Sequence, residues 1–331
     1  MKRYFCGCGN EIHFENTYCN VCHGEIGFIP ELQQLQKLDA LSPYKTCQHR
    51  NLLNCNWLIH NKDNNPQCIA CRLTRTIPNL ANHKNLQRWS KLEATKRRAF
   101  YMLLKLQLPI PNRSDDAIKS SLIFDFLEDK RSNKFSEADL IYTGHHNGII
   151  TINVAEADDS FRRQTQQEMK EAYRTLLGHF RHELGHFYWM QFQNSSEKIS
   201  AFRQVFGDER NDYQIALKRF YRHGAISDWE NHYISAYSSA HPLEDWAECW
   251  AHYLHILETL ETAKAFGLIN CQKLNGNFAD NLNAWMNFSV VLNALNRSLG
   301  VNDPYPFVIN PSVEQKLHFI DDWIKSMNGY Q

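Results

Sequence analysis

His182-Glu183-Leu184-Gly185-His186 is the stretch on which the reading of this chain turns. On a helix, side chains four apart share one face, one turn above each other. Two imidazoles so placed can grip one metal ion, and Glu183 can reach a water bound to it. The surrounding sequence suits a buried helix. Residues 175–192 contain no proline, and Leu176, Leu177, Phe180, Leu184, Phe187 and Tyr188 supply an apolar face.

A catalytic zinc keeps three protein ligands and an open position. The positions three and six residues beyond His186 are Trp189 and Phe192, which excludes a third histidine there. His179 shares the face but sits about 10 Å before His186 along the axis at 1.5 Å per residue. It is expected to pack in the core or behind the ligands. The remaining candidates are Glu244 and Glu248, on a helix expected to start at Pro242. Glu244 is assigned as the third ligand. Glu248, one turn on, is assigned to support a histidine from behind; the reverse assignment is the alternative. Ala247 between them allows two helices to approach. Trp246, Trp250, Tyr253 and Leu254 embed this helix, where a carboxylate needs a partner. Glu183 is the expected general base. Tyr237 is the expected donor to the oxyanion, with His241 second and a packed aromatic as the competing reading of Tyr237.

Eight of the ten cysteines precede residue 72. Clustered cysteines without an export signal suggest metal sites rather than disulfides. Cys6 and Cys8, with Cys19 and Cys22, make two tight turns expected to hold a first structural zinc. The first pair has C-x-C spacing, so His13 or His23 is a possible substitute ligand. Cys47, Cys55, Cys68 and Cys71 are expected to hold a second structural zinc. Cys249 is expected to be a small buried apolar residue and Cys271 to be inert. His252 and His255 are expected in the core or behind the acid ligand.

Between these motifs we expect a short helix over 31–41. A helix carrying Leu86, Trp89, Leu92, Ala99 and Leu103 should end before Pro109. Strands are expected over 121–127 and 148–154, with a turn at 144–148, and a long helical region from about 158. The strand at 148–154 is expected to be an edge against which an extended peptide would lie. Lys96-Arg97-Arg98 is expected to be a solvated helix face rather than a nucleic-acid patch. The domains expected are 1–30, a zinc ribbon; 31–80, a second cysteine module with linker; and 81–331, the domain carrying the histidines.

The 331 residues carry 36 Lys+Arg against 36 Asp+Glu, so no global basic field recruits nucleic acid or an acidic membrane. No run approaches the roughly 18 apolar residues of a membrane helix. A cytoplasmic protein is expected, acting on a peptide or protein, without nucleic acid or membrane as partner.

Residues 173–189, 241–255 and 296–300, together with the cysteine clusters, resemble a bacterial family of zinc-binding metallopeptidases. The Glu244-x-x-Ala247-Glu248 spacing is similar to that of gluzincins. The resemblance implies an α+β fold: a mostly α zincin-like metallopeptidase domain with a small β-sheet, preceded by small zinc-ribbon modules. It implies a hydrolase that cleaves peptide bonds with a Glu-activated zinc-bound water, using one catalytic and two structural zinc ions. The alternative is a non-catalytic zinc-binding protein whose ribbons mediate protein, less readily nucleic-acid, interaction.

Overall fold

The computed structural model describes residues 1–111, 121–133, 136, 138, 140–168, 175–192, 195–269 and 277–328. Cys271 lies outside them. The fold is α+β, with short sheets in the first half and helices in the second. It forms two compact units, Met1–Gln164 and Thr165–Gln331. Among the described residues, no helix is long and apolar enough to cross a membrane.

The first unit begins with three antiparallel pairs. They are β1 (Tyr4–Phe5) with β2 (Glu11–Ile12), β3 (Ile26–Ile29) with β4 (Gln34–Lys37), and β5 (Tyr44–Thr46) with β6 (Leu58–His60). The one-turn helix α1 (Arg50–Leu53) sits between β5 and β6. Phe14, Phe28, Trp57 and Tyr101 close a small aromatic core, with Phe14 and Phe28 at 4.9 Å and Phe28 and Trp57 at 5.5 Å. No helix occupies 31–41, where the sequence reading expects one. Leu32, Leu35 and Leu38 imitate a helical period, but only Leu35 is buried, opposite Phe28 in the β3–β4 ladder. Strand pairing outcompetes local spacing there.

Beyond the pairs come β7 (Thr74–Thr76), α2 (Asn85–Lys105), β8 (Ile123–Leu127), β9 (Gly144–His146) and β10 (Ile149–Asn153). They build a four-stranded sheet in the order β7-β8-β10-β9. β8 runs parallel to β7 and β10, and β9 antiparallel to β10. β10 is therefore interior, not the edge expected for residues 148–154. The cause is a two-residue Asn147-Gly148 turn, with φ of 48° and 81°. Such a turn matches strand twist and folds β9 back along β10. The stretch 144–148 is thus half strand, half turn. Phe100 of α2 packs on Phe124 at 5.9 Å. The same helix buries Lys96 and Arg97, which corrects the expected solvated face. Lys96 meets Glu93 at 3.1 Å and lies 5.0 Å above the Phe124 ring. Lys96 faces the interior because it meets the Glu93 counter-charge there.

Helix α3 (Asp159–Glu168) opens the helical region expected from about 158, and residues 169–174 lie outside those described. The second unit then carries α4 (Leu176–Phe192), α5 (Ser196–Phe206), α6 (Tyr213–His223), α7 (Pro242–Ala265), α8 (Phe278–Ser298) and α9 (Pro311–Asn328). Caps set the starts: Ser195 for α5, Asp212 for α6, His241 for α7 and Asn277 for α8 each accept a backbone N–H. An aromatic cluster joins α4, α7 and α9, with Tyr188 stacked on Trp250 at 5.0 Å and Trp250 5.6 Å from Trp323. Two buried ion pairs hold α7. Asp245 meets Lys316 of α9 at 2.6 Å, and Glu258 meets Arg181 of α4. Because α7 shares its core with two helices, its first turn is fixed against α4.

Candidate metal centre

The centre begins with how closely α4 and α7 approach. A Cβ on Gly185 would lie 3.0 Å from the Ala247 backbone and 3.1 Å from Trp250 Cβ. Two small residues therefore let the helices cross almost backbone to backbone. Trp246 Nε1 donates to the Gly185 carbonyl at 2.8 Å and locks the crossing.

At this crossing three side chains meet. His182 Nε2 lies 3.0 Å from Glu244 Oε2 and 3.2 Å from His186 Nε2, and His186 Nε2 lies 3.4 Å from Glu244 Oε1. Ligand bonds of 2.0–2.1 Å in a tetrahedral site put donor atoms about 3.3 Å apart. The observed spacings fit that figure, so the donor set suits zinc. Two imidazole nitrogens face each other at hydrogen-bond distance, and a shared cation satisfies both lone pairs. Glu244 is nearly fully buried, His182 is buried and His186 half-buried.

The other ring nitrogen of His182, Nδ1, lies 2.8 Å from Glu248 Oε1. Donation to Glu248 fixes the tautomer that leaves Nε2 free to bind a metal. Ser235 Oγ donates to Glu248 Oε2 at 2.8 Å and holds the carboxylate in turn. Burial would raise the Glu248 carboxyl, but the His182 hydrogen bond and charge hold it at about 2. Glu244 behaves likewise. Burial pushes it up, and the His186 and His182 charges hold it well below the usual carboxylate range. Burial acts to lower His182, yet its bonds to Glu244 and Glu248 keep it well above the usual imidazole value.

Glu183 is buried, and its Oε2 has no hydrogen-bond partner among the described residues. Burial raises its carboxyl, and the neighbouring histidines moderate the rise. The Tyr237 ring lies 6.1 Å from the His182 ring and 5.5 Å from Phe220. Its hydroxyl makes no hydrogen bond among the described residues. Burial and then the Glu244 charge push that phenol well above its ordinary value, so it stays a donor. His241 is spent elsewhere: Nδ1 accepts from Leu243 N at 3.1 Å, and Nε2 lies 3.0 Å from the Asn211 carbonyl. It caps α7 instead of facing the ligands.

Sequence reasoning missed Tyr213 and Ser235. The Tyr213 hydroxyl donates to Glu244 Oε1 from the first turn of α6. No motif links it to Glu244, 31 residues on. His179 is half-buried and outside the converging donors. His252 meets the Tyr305 hydroxyl at 2.9 Å, and His255 stacks on the same ring. Cys249 is fully buried, with its thiol 3.6 Å from Asp245 Oδ1.

Both cysteine clusters also assemble. Cys6 and Cys22 sulfurs lie 3.6 Å apart, as do those of Cys8 and Cys19. Cys55 lies 3.8 Å from Cys68 and from Cys71, and the Cys68 amide donates to Cys47 Sγ at 3.4 Å. Zinc–sulfur bonds of 2.3 Å give tetrahedral edges of about 3.8 Å, whereas disulfide sulfurs sit near 2.05 Å. The converging donors are the cysteines alone, without His13 or His23. The C-x-C spacing works because Cys6–Gly9 closes a tight turn, with Gly9 N on the Cys6 carbonyl at 2.8 Å and φ +87° at Gly9.

Comparison with known families fits this geometry. A family model described as "Putative zinc-binding metallo-peptidase" matches residues 85–323, and a zinc-ribbon domain model matches residues 3–82. Uncharacterized proteins of Mycobacterium tuberculosis and Mycobacterium bovis are each 38% identical to the chain over 329 residues, covering 97% of it and 94% of the relative. No solved structure matches the chain.

Proposed function

The chain belongs to the zinc-binding metallo-peptidase family whose model it matches, and on that premise we propose that it is a zinc-dependent peptidase. His182, His186 and Glu244 would hold the catalytic ion. Cys6, Cys8, Cys19 and Cys22 would hold one structural ion, and Cys47, Cys55, Cys68 and Cys71 a second. The catalytic zinc, when bound, acidifies water and polarises the scissile carbonyl.

The rest is the work of side chains. Glu183 takes the proton of the attacking water on Oε2 and later passes it to the leaving amine. Its buried, unpaired Oε2 beside three convergent donors is the observation that carries this reading. A raised carboxyl suits both halves of that proton transfer, since it holds the proton more firmly than an exposed glutamate. Tyr237 donates its hydroxyl to the developing oxyanion. Tyr213 holds Glu244 Oε1, and Glu248 with Ser235 holds the His182 ring.

The deciding experiment is Glu183→Gln. Peptide hydrolysis should fall by about 10²–10⁴-fold, while metal analysis of the same sample still finds the third ion. Unchanged turnover would reject the assigned base. Retained zinc without hydrolysis in the wild-type chain, across a peptide library, would favour a binding protein instead.

A further inference from the structure

Four thiolates around one divalent ion carry two net negative charges. The cluster of Cys47, Cys55, Cys68 and Cys71 is buried throughout, each cysteine at most 1% exposed. Water cannot screen that charge, so the protein must supply cations nearby. The first cluster differs, because Cys8 and Cys22 are exposed.

Arg97 is 3% exposed, on the α2 face expected to be solvated. Its Nε and Nη1 are buried without a hydrogen-bond acceptor among the described residues. It lines a cavity of about 110 Å³ with Leu53, Asn54 and Asn56, the residues that flank Cys55. A guanidinium stays charged at ordinary pH, so Arg97 brings a buried positive charge to the residues around Cys55. Glu93 is matched by Lys96, so it does not consume the Arg97 charge. Arg50 also reaches Cys55. Its Nη1 donates to the Cys55 carbonyl at 3.3 Å, and its Nη2 donates to the Ile26 carbonyl at 2.7 Å. Half-exposed Glu25, at 3.2 Å, takes up part of the Arg50 charge.

We propose that Arg97, assisted by Arg50, is the built-in counter-charge of the buried four-cysteine site and sets how firmly that site holds zinc. This rests on the assignment of zinc to those cysteines, and it is independent of peptidase activity. It gives a physical reason for burying a basic residue with unsatisfied donors: the neighbouring anionic centre offsets a cost that an apolar site would not. It also ties the two matched segments together, since the cysteines fall within the zinc-ribbon match and Arg97 within the peptidase match.

The test uses the full zinc-loaded chain and the release of zinc to a colorimetric chelator. Cys68→Ser identifies the phase belonging to this site, and it should hold one ion fewer than wild type. In Arg97→Met that phase should accelerate about 10- to 100-fold, the usual cost of losing a partner just outside the ligands. Arg97→Lys should release close to the wild-type rate. Methionine is an unbranched side chain one heavy atom shorter than lysine and without its charge, so an Arg97→Met chain that fails to fold while Arg97→Lys folds also supports the proposal. Wild-type release from Arg97→Met overturns it, as does equal loss in both variants. A Cys68→Ser chain with full zinc content would instead remove the zinc assignment beneath it.

Discussion

Glu248 lies outside the converging donors of His182, His186 and Glu244, yet its removal should weaken the proposed centre. Without it, His182 loses the acceptor that fixes its tautomer. Glu248→Ala should lower affinity for the third ion by about 10- to 100-fold, measured by competition with a chelator. Tyr213→Phe removes a hydrogen bond to Glu244 but leaves all three donors. It should cost only about 1 kcal/mol, a several-fold loss in that same affinity. A Tyr213→Phe effect equal to that of Glu244→Ala would show that the phenol itself is a ligand. The contrast explains what was legible at this scale. His182 with His186, and Glu244 with Glu248, announce themselves because helical spacing places side chains four apart on one face, and Glu183 does so by standing beside His182 in the same motif. Tyr213 and Ser235 reach the site through tertiary folding, and nothing in their local sequence marks them. Arg97 was misjudged because a run of basic residues resembles a solvated face, and its buried counter-charges come from residues 26–50 positions away.

At the scale of elements, the centre depends on the α4–α7 crossing. Gly185→Val would drive methyl groups into the Ala247 backbone and the Trp250 side chain. Overpacking of this kind costs about 1–3 kcal/mol, and here it should also part the histidines from Glu244. Denaturant midpoints and zinc content should therefore fall together. A destabilised variant that keeps its third ion would show that the crossing does not set the ligand spacing. The long helices were readable from their apolar periods: α2 ends before Pro109 and α7 begins at Pro242, as expected. The short strands were harder. β4 buries a single leucine within a run that mimics helical spacing, and only its partner β3 decides its conformation. β10 became interior because an Asn-Gly turn folded β9 onto it, so the expected peptide-binding edge is not there.

For the whole molecule, acid should act through histidines buried beside the centre. Burial lowers the His252 imidazole to about 4, although Glu248 pulls it upward. Above pH about 6.5 the imidazole is neutral in both folded and unfolded chains. Below it the unfolded chain binds the proton first, so stability is lost as pH falls towards about 4, by up to roughly 3 kcal/mol. His252→Asn should flatten that part of the stability–pH curve relative to wild type, and an unchanged slope would remove the assignment. The α+β fold, ribbons first and helices after, was legible because cysteine pairs and apolar helices mark their own segments. Zinc-edge anomalous diffraction from zinc-saturated crystals tests the central claim most directly. The account predicts three peaks per chain, one of them about 2.0–2.2 Å from His182 Nε2, His186 Nε2 and a Glu244 oxygen. A saturated crystal with no peak there, or with Glu248 as the ligand in place of Glu244, would contradict it.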